Sequence, residues 1–563
     1  MIYHCEDHTC NYWDEGEKLP ERCPQCGRKL LRANEADMTG DDWTALGNTL
    51  WYAEASDKKR MVDCFRKAAY LGSAWGVCNL GICMEQGNGV EADPVQAFWL
   101  YRQAVEMGSL NAVCCLGVCY QYGIGTAPDA EKAAELYCKA AEYGSPRGQM
   151  LLARAFHDGI GVEADAAEAV YWVRAAAYQR YGEGMHRLGV CYEYGDGVEQ
   201  NWERAVHWFR EAAESGVSVA MTDLGYCYEK GCGVEQSWEQ AFSWYRRGAE
   251  CGYPVSMSNL GLCYKRGYGV EQNWQEAVKW YEQGAQCGNL QSMNNLAYCY
   301  ERGEGVEQNE DRALYWYRRG AEAGSDYCMY CLGWNYSNGE GVEQNMTEAI
   351  RWYTAAAEGG NADAMHDLGW HYDHGEGVEQ DMKKAICWYE RAAEQNHPAA
   401  MNSLGECYAM GRGVPRDLET AMEWYRRAAE LGEAMADYNM GWHLEQAGKL
   451  SEAYAHYRKA ADGNDDSAWW ALGRFYENGV VVAQDGKEAR RCYETGEKLG
   501  SVKCKMRLAR CKLLGIGGRR EKKAGLDLCR QALELAKESS EKEDYGYEAE
   551  MNLLRRTIAE NES

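Results

Sequence analysis

The chain has 563 residues, of which 46% are hydrophobic, and a formal net charge of -27 at pH 7. This acidic excess argues against nucleic acid as a main ligand, because phosphate contacts require a basic surface. No apolar run is long enough to span a membrane, and no charged and then apolar leader follows Met1. We therefore expect a cytoplasmic protein that binds neither nucleic acid nor membrane.

The first residues contain four cysteines in the pattern C-x4-C-x12-C-x2-C, formed by Cys5, Cys10, Cys23 and Cys26. Four thiolates suit a tetrahedral zinc site, and iron is the less favoured metal. The second pair lies in Cys-Pro-Gln-Cys-Gly, which resembles the knuckle of zinc ribbons and rubredoxin-like domains. We predict a zinc ribbon at residues 1–33, stabilised by the metal because so short a segment buries little surface.

A second ligand set remains open for this segment. His8 follows Cys5 with the more common two-residue gap, and its use would leave Cys10 as a spare thiol. Acidic and basic residues are nearly balanced through Arg32, so the segment gives no electrostatic reason to bind nucleic acid. A docking module or a structural element fits this composition better.

A fixed period begins after a polar linker at residues 34–41. The pair Leu260-Gly261 recurs at separations that are multiples of 36 residues, and we call its leucine, or the equivalent residue, the marker of each repeat. The recurring pairs are Leu80-Gly81, Leu116-Gly117, Leu188-Gly189, Leu224-Gly225, Leu332-Gly333, Leu368-Gly369 and Leu404-Gly405, and Leu152-Ala153, Leu296-Ala297 and Met440-Gly441 fall on the same grid. A period of this size indicates a solenoid.

Each repeat contains two helical patterns separated by a glycine loop. Apolar and small residues recur at i, i+3, i+4 and i+7 in both halves, which predicts two amphipathic helices. Around Leu260 these residues are Met257, Leu260, Gly261 and Tyr264, then Ala277, Trp280, Tyr281, Gly284 and Ala285. Gly267 and Gly269 lie where the chain must turn with positive φ or approach a neighbour, and Gly288 lies at the end of the second helix. Each repeat is therefore predicted to be a helical hairpin.

Taken together, these columns resemble the Sel-one-like repeat, a relative of the tetratricopeptide repeat. Close matches begin with the Leu80 repeat, and with divergent flanking repeats the resemblance covers roughly nine tenths of the chain. It implies an all-α, right-handed α/α superhelical solenoid that holds other proteins. It implies no particular chemistry.

The hairpins are predicted to fill residues 42–541. A divergent repeat at Leu46-Gly47 comes first, and the phase slips once between Met440 and Leu472, where Ala447-Gly448-Lys449 replaces the long loop with a short turn. Leu508-Ala509 closes the array, which gives 14 hairpins. Residues 542–563 are predicted to form a capping helix and tail.

Cysteines recur in one column, three residues after the marker, where a small apolar side chain packs between helices. They include Cys83, Cys119, Cys191, Cys227, Cys263, Cys299 and Cys407. Some secreted members of the resembled family carry a disulfide in each repeat, but here Cys251 and Cys287 have no recurring partners at one offset. We expect reduced core thiols, as in cytosolic proteins.

Catalytic motifs are not apparent. Asp367, His371 and His374 lie at i, i+4 and i+7 and could hold a metal from one helix, although His371 stands in the column of core cysteines. No nucleotide loop, nucleophile motif or recurrent acid and base pair is present. We therefore expect no enzyme. The alternative is a small-molecule hydrolase of the type reported for a few secreted members of the family.

The face of the first helix opposite its core carries aromatic residues. The position two residues after the marker, the plus-two column, lies about 200° around the helix and should be polar in a soluble helix. It instead reads Tyr226, Leu262, Tyr298, Trp334 and Trp370, then Glu406, then Trp442. The minus-two column, two residues before the marker, reads Ser258, Asn294, Tyr330, His366, Asn402 and Tyr438.

The family resemblance places the first helices on the inside of the superhelix, so these columns predict a partner-binding surface. We call it the aromatic strip: Tyr226, Leu262, Tyr298, Tyr330, Trp334, His366, Trp370, Tyr438 and Trp442. Aromatic anchors beside hydrogen-bonding groups suit an extended peptide or a partner helix. The alternative is that tight coiling buries the plus-two column between repeats.

Two charged features complete the sequence. One acidic residue recurs in successive loops, followed each time by glutamine, and it either attracts a basic partner or keeps the protein soluble. The acidic column is Glu199, Glu235, Glu271, Glu307, Glu343 and Glu379. A basic cluster lies near the end: Arg507, Arg510, Lys512, Arg519, Arg520, Lys522 and Lys523. It is either a solvated cap or a site for weak head-to-tail self-association.

The sequence therefore predicts a cytoplasmic, non-catalytic scaffold. It would bind a protein or peptide on its repeat array and carry one structural zinc near its first residues.

Overall fold

Short strands precede the repeats. The computed structural model describes residues 2–5, 13–15, 30–33, 35–51, 55–542 and 548–562. Strands β1 (Ile2–Cys5), β2 (Trp13–Glu15) and β3 (Leu30–Ala33) pair antiparallel in the order β2-β1-β3. Ile2 stands opposite Glu15 on one side and Ala33 on the other. From residue 35 onward, all regular structure in the described ranges is helical.

Helices alternate between the first and the second member of successive hairpins, which confirms the predicted repeat of helical hairpins. The first helices are α1 (Gly40–Thr49), α3 (Ala74–Gln86), α5 (Leu110–Tyr122), α7 (Pro146–Asp158), α9 (Gly182–Tyr194), α11 (Ser218–Lys230), α13 (Pro254–Arg266), α15 (Leu290–Arg302), α17 (Asp326–Asn338), α19 (Ala362–His374), α21 (Pro398–Met410), α23 (Ala434–Gln446), α25 (Asp466–Asn478) and α27 (Val502–Leu514). The second helices are α2 (Ala55–Tyr70), α4 (Pro94–Glu106), α6 (Ala130–Glu142), α8 (Ala166–Tyr178), α10 (Trp202–Glu214), α12 (Trp238–Glu250), α14 (Trp274–Gln286), α16 (Glu310–Glu322), α18 (Met346–Glu358), α20 (Met382–Glu394), α22 (Leu418–Glu430), α24 (Leu450–Asp462), α26 (Gly486–Lys498) and α28 (Lys522–Lys542). Helix α29 (Glu548–Glu562) follows them.

Helix ends are set by local side chains and glycines. The side chain of Asn273 accepts a hydrogen bond from the backbone of Glu276 at 3.1 Å and so caps α14. Gly267 ends α13 with φ of 74°, and Gly269 follows with φ of 68°. A Cβ on Gly269 would lie 2.2 Å from the carbonyl oxygen of Trp238, so both glycines perform the predicted roles of left-handed turn and close approach.

The core of each hairpin is built on a ring that packs against a glycine. In α13 and α14, Leu260 and Tyr281 are both fully buried. A Cβ on Gly261 would lie 2.5 Å from the ring of Tyr281, so the glycine makes room for the aromatic side chain. The predicted cysteine column is buried beside this contact, and burial raises the pKa of Cys263 to about 12.

Arginines of the basic cluster form ion pairs and hydrogen bonds at the end of the array. Arg507 forms ion pairs with Glu477 at 3.3 Å and with Glu550 of α29 at 2.6 Å. Arg510 also pairs with Glu477, and Arg520 donates to Asn561 at 2.6 Å. Arg507 and Arg520 therefore attach α29 to the last hairpin, and Arg510 connects this hairpin to α25. Self-association through the remaining cations stays a prediction.

The chain divides into two compact units, an N-terminal unit of residues 1–292 and a C-terminal unit of residues 293–563. Each is made of consecutive hairpins. Among the helices of the described residues, none combines the length and the apolarity needed to cross a bilayer.

Candidate partner-binding surface

In the N-terminal unit, two members of the plus-two column are exposed. Tyr226 of α11 is 44% exposed and Leu262 of α13 is 38% exposed, although both lie on helices whose marker leucines are buried. The ammonium of Lys230 lies 5.8 Å from the centre of the Tyr226 ring, one helical turn further along. The column therefore presents apolar surface edged by a cation.

In the C-terminal unit the same column is exposed at two tryptophans. Trp334 is 46% exposed and Trp442 is 38% exposed, whereas Tyr298 and Trp370 are half-buried. Trp370 is partly covered by His374, whose ring stacks on it with centroids 4.3 Å apart. Exposure thus varies from repeat to repeat, and Trp334 offers the largest apolar surface of these four residues.

An acidic cleft of about 610 Å³ adjoins Trp334. Its walls include Glu301, Glu310 and Glu340, with Arg302 as the cation among its lining residues. These carboxylates come from the end of α15, the start of α16 and the loop after α17. The column analysis of the first helices missed them because they belong to helix ends and loops, although their positions are visible in the sequence.

The minus-two column is less available than its sequence indicates. Tyr330, His366 and Tyr438 are half-buried, and burial raises the pKa of Tyr438 to about 12. Their rings lie against core tyrosines: Tyr330 on Tyr353 at 5.8 Å, His366 on Tyr389 at 5.8 Å, and Tyr438 on Tyr457 at 5.6 Å between centroids. These three residues therefore contribute to packing inside the array.

Polar members of this column connect adjacent repeats. His186 lies 2.7 Å from Asp223 of the next first helix, and Tyr330 donates to Asp367 at 3.1 Å in the same way. Asn439 donates to the side-chain oxygen of Asn402 at 3.0 Å. The recurrent link runs from the minus-two residue to the residue just before the next marker. The imidazole of His366 and the amide of Asn402, which the sequence places beside the predicted peptide site, are thus already hydrogen-bonded within the protein.

Comparison with known proteins identifies the repeated hairpin. The Sel1 repeat family matches residues 76–109, 112–145, 146–181, 182–217, 218–253, 254–289, 290–325, 326–361, 362–397, 398–433, 434–465, 468–501 and 502–537. The chain belongs to the Sel1 repeat family. The shorter match at 434–465 contains the turn at Ala447-Gly448-Lys449, where the sequence predicts a slip in phase.

Solved structures with Sel1-like repeats are similar to it. A protective antigen present in uropathogenic Escherichia coli strains and displaying an SLR fold is 29% identical, with 76% of this chain and 94% of that chain covered and a TM-score of 0.54. A Sel1 repeat protein from Oxalobacter formigenes is 32% identical, with 43% and 96% covered and a TM-score of 0.40. A search of curated proteins found no match. The Sel1 repeat solenoid is typical of protein interaction scaffolds.

Candidate metal ligands in this Sel1 repeat protein fall into two groups. Cys10, Cys23 and Cys26, together with His8, lie outside the described residues, and Cys5 ends strand β1. Elsewhere, His371 Nδ1 lies 3.1 Å from the carbonyl oxygen of Glu376, and His374 is engaged with the carbonyl oxygen of Trp370 at 2.9 Å. Within the described ranges, no group of three or more His, Cys, Asp or Glu side chains is arranged to hold a metal ion.

The loop column of Glu and Gln has two separate roles. The six glutamates are exposed in their respective units, so they supply acidic surface. Five of the six glutamines instead donate to backbone carbonyls at the end of the preceding first helix, as Gln272 does to Lys265 and Gln236 to Glu229, each at 2.8 Å. These bonds satisfy carbonyls that a helix end leaves without partners. The recurring Gln is therefore structural, and the Glu remains free to act by its charge.

Proposed function

We propose that this Sel1 repeat protein is a non-catalytic cytoplasmic scaffold that binds a protein or peptide partner on the aromatic strip. The observation that carries the proposal is the exposure of Trp334 and Trp442 at positions where a soluble helix places polar residues. Large aromatic side chains are the residues that most often dominate the binding free energy of an interface. Because Tyr330, His366 and Tyr438 are committed to packing, Trp334, Trp370 and Trp442 are the anchors we favour.

The negative charge of the protein favours a partner with basic side chains. The cleft beside Trp334 contains three carboxylates and one arginine, and the whole chain has a net charge of -27. A basic side chain of a partner would find both an aromatic face and carboxylates there. We therefore propose a partner segment that carries Lys or Arg next to an apolar residue.

A structural zinc near the start of the chain is the second part of the proposal. Cys5 ends β1, Cys10 lies between β1 and β2 in the chain, and Cys23 and Cys26 lie between β2 and β3. A three-stranded antiparallel sheet with cysteines at the end of β1 and in both connecting segments supports a tetrathiolate site. In the described ranges, the cysteines from Cys64 to Cys529 form no disulfide, which supports a reducing compartment for the protein.

The test replaces Trp334 and Trp370 by alanine in the full chain. Partner proteins captured by the tagged wild type from its native cells are quantified by mass spectrometry and compared with those captured by the variant. Loss of two interface anchors should lower recovery of a specific partner at least ~tenfold. Trp352→Ala, on the second helix of the Trp334 repeat, removes an equally large side chain outside the strip and should leave recovery unchanged.

Helical circular dichroism spectra of both variants should match the wild type. Equal recovery by all three proteins would contradict the proposal and favour burial of the plus-two column between repeats.

A further inference from the structure

One hairpin lacks the ring that fills the core of its neighbours. In eleven hairpins the glycine after the marker packs against an aromatic ring of the second helix. The pairs are Gly47 with Phe65, Gly81 with Tyr101, Gly117 with Tyr137, Gly189 with Phe209, Gly225 with Tyr245, Gly261 with Tyr281, Gly333 with Tyr353, Gly369 with Tyr389, Gly405 with Tyr425, Gly441 with Tyr457, and Gly473 with Tyr493. In α7 and α8 the corresponding residues are Ala153 and Val173. From Phe65 to Tyr493, Val173 is the one position of this column without an aromatic residue.

A cavity of about 420 Å³ lies at this place in the N-terminal unit, between α7, α8 and α9. Its apolar lining includes Leu151, Ala153, Val170 and Val173, and the last three are buried. A valine side chain is smaller than a tyrosine ring, so Val173 leaves space that the ring occupies in other repeats and that neighbouring side chains do not fill. The volume is within the range of small-ligand pockets, which is about 300 to 1,000 Å³.

The carboxylates that line the cavity all have partners. Asp158 pairs with Arg154 at 3.3 Å and lies 2.6 Å from His157 Nδ1, and this hydrogen bond lowers its pKa. Asp196 lies 3.2 Å from His157 Nε2 and 3.5 Å from Arg187. The remaining carboxylate, Glu183, accepts a hydrogen bond from the hydroxyl of Tyr181 at 3.2 Å. A cationic ligand would have to compete with these contacts.

Arg147 is different from the other two arginines. Among the described residues, it has no carboxylate partner, and its Nη1 donates to Cys115 Sγ at 3.6 Å. A cysteine sulfur is a weaker hydrogen-bond acceptor than a carboxylate, so this contact leaves most of the hydrogen-bonding capacity of the guanidinium unused. A guanidinium prefers planar, bidentate contact with a carboxylate. Arg147 is therefore the cation of this cavity best able to accept an added anion.

We propose that the cavity between α7, α8 and α9 binds a ring-sized apolar group that carries a carboxylate. The apolar group occupies the space beside Ala153 and Val173, and the carboxylate pairs with Arg147. Such a ligand is either a free aromatic acid or an aromatic residue next to an acidic one in a peptide. The site is independent of the aromatic strip, which lies on other repeats.

Calorimetric titration of the full chain tests this proposal with 3-phenylpropionate as the free-acid probe and N-acetyl-Phe-Asp-amide as the peptide probe. At least one probe should bind with one site per chain, and the tighter probe identifies the source of the ligand. Its neutral counterpart, 3-phenylpropionamide or N-acetyl-Phe-Asn-amide, should bind at least ~tenfold more weakly, because it lacks the charge that meets Arg147. Arg147→Gln should produce a loss of similar size.

Val173→Tyr is the decisive variant, because it restores the ring that other repeats contain. The side chain should fold in place, since Tyr317 occupies the same column opposite Ala297 and both are buried. We expect this variant to abolish binding of the probes while its thermal midpoint stays equal to or above that of the wild type. If the Val173→Tyr variant unfolds at a lower temperature than the wild type, the test depends on Arg147→Gln, which changes an exposed side chain.

Arg246→Gln is the matched control, because it removes an exposed guanidinium that pairs with Glu250 in another hairpin. It should bind the probes like the wild type, and so should the variant that replaces Trp334 and Trp370. Three results would overturn the proposal: no binding of either probe at millimolar concentration, equal affinity for the neutral counterparts, or tighter binding of phenethylamine than of 3-phenylpropionate.

Discussion

We call the buried aromatic residues of the second helices, from Phe65 to Tyr493, the ring column. Single residues in this column determine whether a hydroxyl is available to a nearby polar side chain. In several hairpins the hydroxyl of the buried tyrosine donates to the residue five positions after the marker. Tyr245 donates to Glu229 at 2.9 Å, Tyr493 to Glu477 at 2.8 Å, and Tyr137 to Gln121 at 2.7 Å. The aromatic residue therefore fills the core and also satisfies a partly buried polar group.

Phe209 lacks that hydroxyl, and its repeat shows the consequence. The residue five positions after its marker is Glu193, and burial, together with the charge of Asp223, raises the pKa of this carboxyl. Phe209→Tyr should supply the missing donor and lower the pKa of Glu193, because a hydrogen bond to the charged form stabilises it. Carboxyl chemical shifts followed by NMR titration would measure the change.

Phe242→Tyr, which adds a hydroxyl outside the ring column of the next repeat, should leave the pKa of Glu193 as it is. A Glu193 titration curve identical in wild type and Phe209→Tyr would show that the hydroxyl of residue 209 does not reach this carboxylate.

At the scale of helices, much of the structure follows from the sequence. The period, the two helical patterns and the loop glycines predict each hairpin, because these features depend on local backbone geometry and on which face is apolar. The burial of Tyr330 and Tyr438 is harder to predict from the sequence, because their packing on core tyrosines depends on how adjacent repeats are stacked. The cavity at Val173 is visible in the sequence as a missing aromatic residue. Its arginines and carboxylates come from α7, α9 and the loop after α9, and only the folded chain shows that they meet.

One helix cap should make local stability depend on pH. Asp465 caps α25 by accepting a hydrogen bond from Ala468 N at 2.7 Å, while burial raises its pKa to about 6. A folded-state pKa above the unfolded value means that this group favours folding most below about pH 4. That contribution is lost as pH rises through about 6. Hydrogen exchange of α25 amides should show local stability that falls by about 1–3 kcal/mol between pH 4 and pH 7.

Asp465→Asn retains an N-cap acceptor and removes the titration, so its α25 amides should show no such fall. Asp485→Asn is the control, because Asp485 caps α26 in the same way but is exposed. Protection of α25 that rises with pH in the wild type would contradict the assignment to Asp465.

At the scale of the whole molecule, hairpins contact their sequence neighbours, so a local change should act mainly on adjacent repeats. The acidic loop column and the glutamine caps recur in both units, which gives each of them negative surface without altering the core. We therefore propose that specific function depends on departures from the repeat, such as Trp334, Val173 and the cysteines near the start.

The zinc proposal can be tested at this scale. The purified full chain should contain about one zinc ion by plasma mass spectrometry, and replacing Cys23 and Cys26 by serine should remove it, since four thiolates complete a structural site. Cys251 and Cys287 are exposed cysteines of the repeats, so serine at both is the matched control and should retain the metal.

Because repeats couple mainly to their neighbours, loss of the zinc should raise hydrogen exchange in α1 and α2 and leave hydrogen exchange in α16–α28 unchanged. Zinc far below one equivalent in the wild type, or equal zinc in both double variants, would rule the site out.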